Sequence, residues 1–292
     1  MTWRCPNCNN PLNFEPPTWR CQNGHSFDQA KQGYVNLVLA HQKRSKSPGD
    51  NKAMIQARRR FLNTGYYEPL VFSLNEILVK HLADRDNQHN SGNASEVLDS
   101  QCFGPQWLDP LCLDLGCGEG YYVNELSRLT PATQWQCLDI SKEAVKLAAK
   151  GAAAQYAVAS SFAIPLEDAS CDGVLQIFAP ASDQEIWRVL RPGGILVRVG
   201  PGTDHLKELK RALYANVAQR KPQEDVDGFD TIALHSLMYS IQLQGFQLIE
   251  DLIAMTPYQW AGDRQVKKNL IEHGQLRVTL DFSIQVLKNR NT

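Results

Sequence analysis

Leu111-Cys112-Leu113-Asp114-Leu115 is an apolar run that breaks into Gly116-Cys117-Gly118-Glu119-Gly120 and is followed by a helical pattern from Tyr121 to Leu129. A buried strand that turns through three glycines into a helix is a demanding local plan. Glycine lets the backbone come close to a ligand at the carboxyl end of a parallel strand, as in nucleotide-binding α/β sheets. The spacing here is Gly-x-Gly-x-Gly, tighter than the Gly-x-Gly-x-x-Gly of dinucleotide-binding folds, and an acid, Asp114, lies inside the strand before it.

A rhythm of strands follows. Trp135 to Asp139 reads as a second strand ending in an acid 19 residues after Gly120, where a carboxylate can accept both hydroxyls of a ribose. Tyr156 to Ser161 reads as a third strand with its loop, and Cys171 to Pro180 as a fourth that ends in Phe178-Ala179-Pro180. Arg191-Pro192-Gly193-Gly194 leads into a fifth, and two late strands are expected at Phe246–Met255 and Val278–Val286. This order of glycine loop, acid and Arg-Pro-Gly-Gly turn resembles the class I methyltransferases. The resemblance implies an α/β fold with a seven-stranded, mostly parallel sheet covered by helices on both faces. It implies S-adenosyl-L-methionine as cofactor, with Asp114, Gly116, Gly118, Gly120, Asp139, Ser160 and Ser161 as candidate donor contacts. Asp114 could instead organise the glycine loop, and Asp172 could be only a strand-entry acid.

The first residues carry a second signal. Cys5-x2-Cys8-x12-Cys21-x3-His25 supplies four ligands from two short loops, the set expected of a closed, structural zinc site. A segment of about 40 residues is too small to fold on an apolar core alone, so metal binding must supply much of its folding free energy. Trp3, Arg4, Trp19 and Arg20 are candidates for an exposed surface on this module. Of the remaining cysteines, Cys102 lies in a polar stretch, while Cys112, Cys117, Cys137 and Cys171, in or beside apolar runs, read as small core residues of a reducing compartment.

Net charge is −1, so nucleic-acid affinity would have to come from a local patch. One exists: His41 to Arg60 holds seven Lys or Arg against one Asp. Lys43, Arg44 and Lys46 precede a Pro-Gly turn, and Arg58, Arg59 and Arg60 lie on a helix expected from near Asn51, placed to meet phosphates. A charge run is also compatible with a plain solvated face. No apolar run approaches the length of a membrane span and no secretory pattern opens the chain, so a cytoplasmic protein is expected.

The zinc ligand set, the Lys43-Arg44-Ser45-Lys46-Ser47-Pro48-Gly49-Asp50 stretch, the Gln56-Ala57-Arg58-Arg59-Arg60-Phe61-Leu62 helix and Gly65-Tyr66-Tyr67 together resemble the RlmA family. These are bacterial 23S rRNA guanine-N1 methyltransferases, here of the Gram-negative type. Gly116 to Tyr122, Ala159 to Ser161 and Met255 to Trp260 extend the likeness over nearly the whole chain. What it implies is methylation of guanine N1 in a hairpin loop of 23S rRNA, with donor contacts that include Tyr67, Glu119, Gly120 and His205. Phe178 and Pro180 become a candidate platform for an extruded base, although an aromatic there could equally pack against the sheet edge. The expected division is a zinc-binding module at 1–40, a basic connector with helices at 41–83, an insertion rich in polar residues at 84–109, and the methyltransferase domain at 110–292. 23S rRNA is the expected partner and a homodimer is left open. Two alternatives stand beside this reading: a small-molecule methyltransferase of the quinone-biosynthesis type, which needs neither module nor basic connector, and a non-catalytic, zinc-stapled RNA-binding protein.

Overall fold

Strand β5 (Leu111–Leu115) buries every residue, as an apolar run flanked by helices on both sides of a sheet must. It lies in the middle of the sheet in a computed structural model that describes residues 3–39, 49–89, 109–151, 154–214, 226–260 and 262–290. Around it stand β6 (Gln134–Asp139), β7 (Gln155–Val158), β8 (Cys171–Ile177) and β9 (Leu190–Pro201), all parallel. Beyond β9, β11 (Gln275–Asn289) runs antiparallel and pairs in turn with β10 (Phe229–Gln244) at the edge. The order across the sheet is β10-β11-β9-β8-β5-β6-β7-β4. The chain winds one way from β5 and the other from β8, so a crevice opens at their carboxyl ends, where such sheets hold ligands.

Two expectations change here. The sheet has eight strands rather than seven, because β4 (Tyr34–Asn36), from the zinc-binding segment, pairs parallel with β7. The stretch at Phe246–Met255 is a helix, α7 (Phe246–Ala254), and the sixth strand of the catalytic sheet is β10. Gly245 at φ 100 ends β10, and Ile249, Leu252 and Ile253 then recur at helical spacing and bury one face. An edge strand half open to solvent lacks the apolar continuity that marked β5 or β8.

Helix α1 (Lys52–Leu62) starts where expected: the Asn51 side chain caps it by accepting from the Met54 amide at 3.0 Å. Its Arg60 grips the buried Asp251 carboxylate of α7 with two bonds of 2.9 and 2.6 Å. Helix α2 (Glu68–His89) runs into the expected 84–109 insertion, whose residues 90–108 lie outside the described ones, as do Lys43, Arg44 and Lys46. α3 (Tyr121–Leu129) and α4 (Lys142–Ala148) follow β5 and β6; α5 (Asp183–Val189) and α6 (Lys207–Leu213) flank β9; α8 (Arg264–His273) precedes β11. Among the described residues no helix is long and apolar enough to cross a membrane.

The zinc-binding segment adds a small sheet of β1 (Asn13–Glu15), β2 (Thr18–Arg20) and β3 (Ser26–Asp28). Its core is not its own. Trp3, Leu12 and Trp19 join Val35, Leu37, Ala159, Ile164 and Leu166 in one buried cluster. Trp3 and Trp19 are therefore not the exposed residues expected of them: they are 0% and 6% accessible. Arg4 is tied down too, its amide donating to the Pro165 carbonyl at 2.8 Å and its guanidinium meeting Asp168 at 3.2 Å, beside Arg188 at 2.7 Å from the same carboxylate. Arg20 remains exposed, 3.5 Å from Glu15. Cys112, Cys117, Cys137 and Cys171 are buried, in keeping with a packing role.

Candidate active site and metal centre

Where β5 ends, the backbone takes left-handed conformations at Gly116, Gly118 and Gly120 (φ 81, 56 and 86), which side-chain-bearing residues resist. The turn is also crowded. A Cβ on Gly116 would collide with the methyl of Ala179, and one on Gly120 would lie 3.0 Å from that of Ala148. Gly116 and Cys117 donate their amides to the Leu138 carbonyl, and Gly118 donates to Asp139 Oδ2 at 3.0 Å. Asp139 Oδ1 accepts from the Ser141 amide at 2.7 Å. It is thus Asp139 that organises the glycine loop, while a carboxylate's further lone pairs stay compatible with ribose hydroxyls.

The other two acids are differently placed. Asp114 and Glu119 are buried, and each has an oxygen, Oδ2 and Oε1 respectively, without a hydrogen-bond partner. Burial, helped by the charges of Asp139 and Glu119, pushes Asp114 up to about 8. Burial likewise pushes Glu119 up to about 7, against the opposing pull of Arg58. Asp139 is raised by burial and lowered by the two amides it accepts from. Buried carboxylates without partners are costly. A ligand that carries cationic centres and hydroxyls, as S-adenosylmethionine does, suits such a pocket, so the residues present fit the expected cofactor.

Beside the loop stands an aromatic wall. The buried Phe282 of β11 lies 5.2 Å from Tyr67, 5.2 Å from His205, 6.1 Å from Phe178 and 6.2 Å from Tyr239, ring centre to ring centre. His205 Nδ1 sits 2.8 Å from the Asp281 carbonyl oxygen and 3.2 Å from its amide nitrogen, and the shorter contact makes Nδ1 the donor. Phe178 has a left-handed backbone (φ 53) and keeps 44% of its surface accessible. Its turn is pinned at three places: Phe178 N donates to Val199 O at 3.0 Å, Gln176 Nε2 to Ala179 O at 2.8 Å, and Ser161 Oγ to Pro180 O at 2.7 Å. Non-glycine strain of this kind persists where the surroundings hold it, commonly at functional sites. Ser160 Oγ accepts from Phe162 N at 3.2 Å, so both serines stitch loops together.

The four expected metal ligands do come together. Cys5 Sγ and Cys21 Sγ lie 3.5 and 3.4 Å from His25 Nδ1, and Cys8 Sγ is 3.6 Å from Cys21 Sγ. All four ligand atoms fall within 4.8 Å of one another. Tetrahedral zinc, with bonds of about 2.3 Å to sulfur and about 2.0 Å to nitrogen, spaces its ligands at roughly 3.5–3.8 Å. The set matches a closed zinc site and contains no place for substrate.

The arginines divide in a way the sequence did not reveal. Arg60 braces α7, Arg58 turns inward over the glycine loop, and Arg59 is exposed beside Gln56, Asn63 and Leu147. Phe282, Tyr239 and Asp50 were missed as site residues; their only signal is position on strands and turns that meet the loop from far along the chain.

Two family models match separate parts of the chain. A family model described as RlmA, N-terminal, matches residues 3–46, and one described as Methyltransferase domain matches residues 112–194. The chain is 32% identical over 267 residues to the 23S rRNA (guanine(748)-N(1))-methyltransferase of Streptomyces fradiae, spanning 89% of this chain and 86% of that one. A Micromonospora griseorubida protein named for 23S rRNA guanine-N1 methylation is 31% identical, over 89% of this chain and 87% of its own. YxjB of Bacillus subtilis, named for the same reaction, is 28% identical over 97% and 96%.

Two outcomes follow from the geometry. Because the zinc-binding segment shares its core with the catalytic sheet, Cys21→Ser should lower the thermal midpoint of the whole chain and expose residues before 39 to protease, with zinc content falling in parallel; an unchanged melting curve with zinc lost would count against a shared core. Asp114 titrates near 8 in the folded chain against an ordinary 3.8, so the folded state holds an extra proton. Its contribution to stability is then full below about pH 4 and is lost as pH rises toward about 8. Thermal unfolding between about pH 5 and pH 8.5 should accordingly show Asp114→Asn, uncharged throughout, losing less stability than the wild type over that interval. Parallel curves would refute the raised value.

Proposed function

The chain belongs to the 23S rRNA guanine-N1-methyltransferase family, and from that premise we propose how its residues share the work. It is an S-adenosylmethionine-dependent enzyme acting on guanine N1, which sets aside the small-molecule and non-catalytic alternatives. When bound, S-adenosylmethionine would supply an electrophilic methyl group, its bond to sulfur breaking as the bond to N1 forms and the N1 proton leaving to solvent.

Gly116, Gly118 and Gly120 let the loop backbone approach the donor, and Asp139 accepts from its ribose hydroxyls. Asp114 and Glu119 face its cationic centres, with Tyr67 and His205 walling the far side; Ser160 and Ser161 shape the nucleoside end. Phe178 offers its exposed face to the target guanine, and Pro180 fixes the turn that carries it. What carries this reading is the juxtaposition of two buried carboxylates, Asp114 and Glu119, each with one oxygen lacking a hydrogen-bond partner, under a glycine loop whose Gly116 abuts Ala179, with the exposed, backbone-strained Phe178 beside it. Positioning of N1 in line with the departing sulfur should dominate the rate.

For the RNA, Arg59 on α1 and the connector residues Lys43, Arg44 and Lys46 are the proposed phosphate contacts; Arg58 and Arg60 are engaged elsewhere. The target proposed is the hairpin-loop guanine of the Gram-negative type, methylated in the cytoplasm, where ribosomal RNA is made. The partner proposed for the outer edge of the sheet is a second copy of the chain, because β10 leaves Ile232, Leu234 and Met238 40%, 67% and 59% accessible on a strand edge that pairs with no other strand among the described residues.

Incubation with labelled donor and under-methylated 23S rRNA, followed by mapping of the label, should place it on one hairpin-loop guanine. Phe178→Ala should reduce kcat by about 10- to 100-fold, the scale of one lost base-stacking contact of a few kcal/mol, while donor affinity changes little. Equal rates for variant and wild type would remove the platform role. Sedimentation equilibrium should give a dimer that Leu234→Glu converts to monomer; a monomeric wild type at tens of micromolar would remove the edge interface.

A further inference from the structure

The start of α1 is fastened across the end of β6. Ser141 Oγ donates to the Asp50 carbonyl at 3.0 Å, and a Cβ on Gly49 (φ 81) would stand only 3.0 Å from that of Ser141 and 3.1 Å from Ile140 Cγ2. This brings Asp50 beside Asp139. Two turns along the helix, Arg58 reaches back over the glycine loop, its Nη1 3.8 Å from the point where a Gly118 Cβ would be. The same nitrogen pairs with Asp50 Oδ2 at 2.5 Å, Nη2 donates to the Met255 carbonyl at 3.2 Å, and 27% of the side chain stays accessible. A guanidinium carries five N–H donors, so these partners leave it with donors to spare.

The charges around it are one-sided. Asp50, Asp114, Glu119 and Asp139 gather at the pocket, and Arg58 opposes the burial-driven rise of Tyr67, Glu119, Tyr122 and Asp139 alike, with Arg59 adding a smaller pull at Glu119. Its neighbour Arg59 faces a different surface, with Gln56 and Asn63. S-adenosylmethionine presents two cationic centres and one carboxylate. The acids answer the cations and the ribose; the carboxylate requires a cation.

We propose that Arg58 forms the carboxylate subsite of the donor pocket, its remaining N–H groups binding the α-carboxylate of the donor's methionine portion while Asp50 and the Met255 carbonyl hold the guanidinium over Gly118. This rests on the donor site assigned above. A planar guanidinium fits a carboxylate with paired bonds, which a lysine ammonium does not reproduce. The connector is then double-sided: one arginine of its helix serves the donor, the next faces outward.

The test is calorimetric binding of two ligands to the zinc-loaded full chain: S-adenosylhomocysteine and its decarboxylated analogue. In the wild type the analogue should bind about 10- to 100-fold more weakly, the scale of a charge-assisted pair. Arg58→Met should weaken S-adenosylhomocysteine by a similar factor and the analogue by less than about threefold, which erases the preference. Arg58→Lys, which keeps charge and stem, should retain part of it and carries the test if Arg58→Met does not fold. Equal losses for both ligands would mean a merely structural arginine, and no loss for either would return Arg58 to the RNA; both overturn the proposal. A wild type that binds neither ligand overturns the donor site itself, and the subsite with it.

Discussion

The carboxylate of Asp139 is the joint on which the site turns. With one oxygen it holds the Gly118 amide and with the other the Ser141 amide, so a single side chain at the end of β6 sets the loop that follows β5 and the helix that follows β6. Ser141 extends the joint. Its hydroxyl oxygen accepts from the Ala144 amide to cap α4 and donates to the Asp50 carbonyl, tying down the connector. Glycine loop, Asp139 and the arginine-bearing helix are thereby held in one bonded set, and none can move far without breaking a partly buried hydrogen bond.

The metal module belongs to the same construction. Four ligands of a closed zinc site fix the two loops, but the apolar surface that they organise is completed only by Ala159, Ile164 and Leu166 from the catalytic sheet, and β4 lengthens that sheet by one strand. Arg4, Asp168 and Arg188 close the seam with charge. A groove of about 450 Å³ runs along this seam past Ser160 and the exposed Phe162, so the module borders the loop that follows β7 instead of hanging free of it.

Charge is distributed by depth. The chain is close to neutral, yet Asp50, Asp114, Glu119 and Asp139 gather at the glycine loop, where burial raises Asp114 and Glu119 and Arg58 opposes that rise at Glu119. The basic connector answers this from above. Of its three consecutive arginines, one enters the acid cluster, one braces α7 through Asp251, and one stays on the surface.

What the amino-acid order determined by itself was the set of features written in short stretches of chain. The β5–glycine–α3 unit, the clustering of the four zinc ligands and the start of α1 near Asn51 each depend on neighbours a few residues away, and each stands as expected, while Arg191 to Gly194, expected as a turn before the fifth strand, already lies within β9. Tertiary structure decided the rest. Arg58 and Arg60 look alike on their helix, but their partners Met255 and Asp251 lie 197 and 191 residues further on, and only that encounter separates a pocket residue from a strut. Trp3 and Trp19 are buried because the catalytic sheet supplies the other half of their core, and Phe246–Ala254 coils because its apolar face finds α1 rather than a strand to pair with. Periodicity and ligand spacing are properties of the local chain; the direction in which a side chain buries is a property of what arrives to cover it.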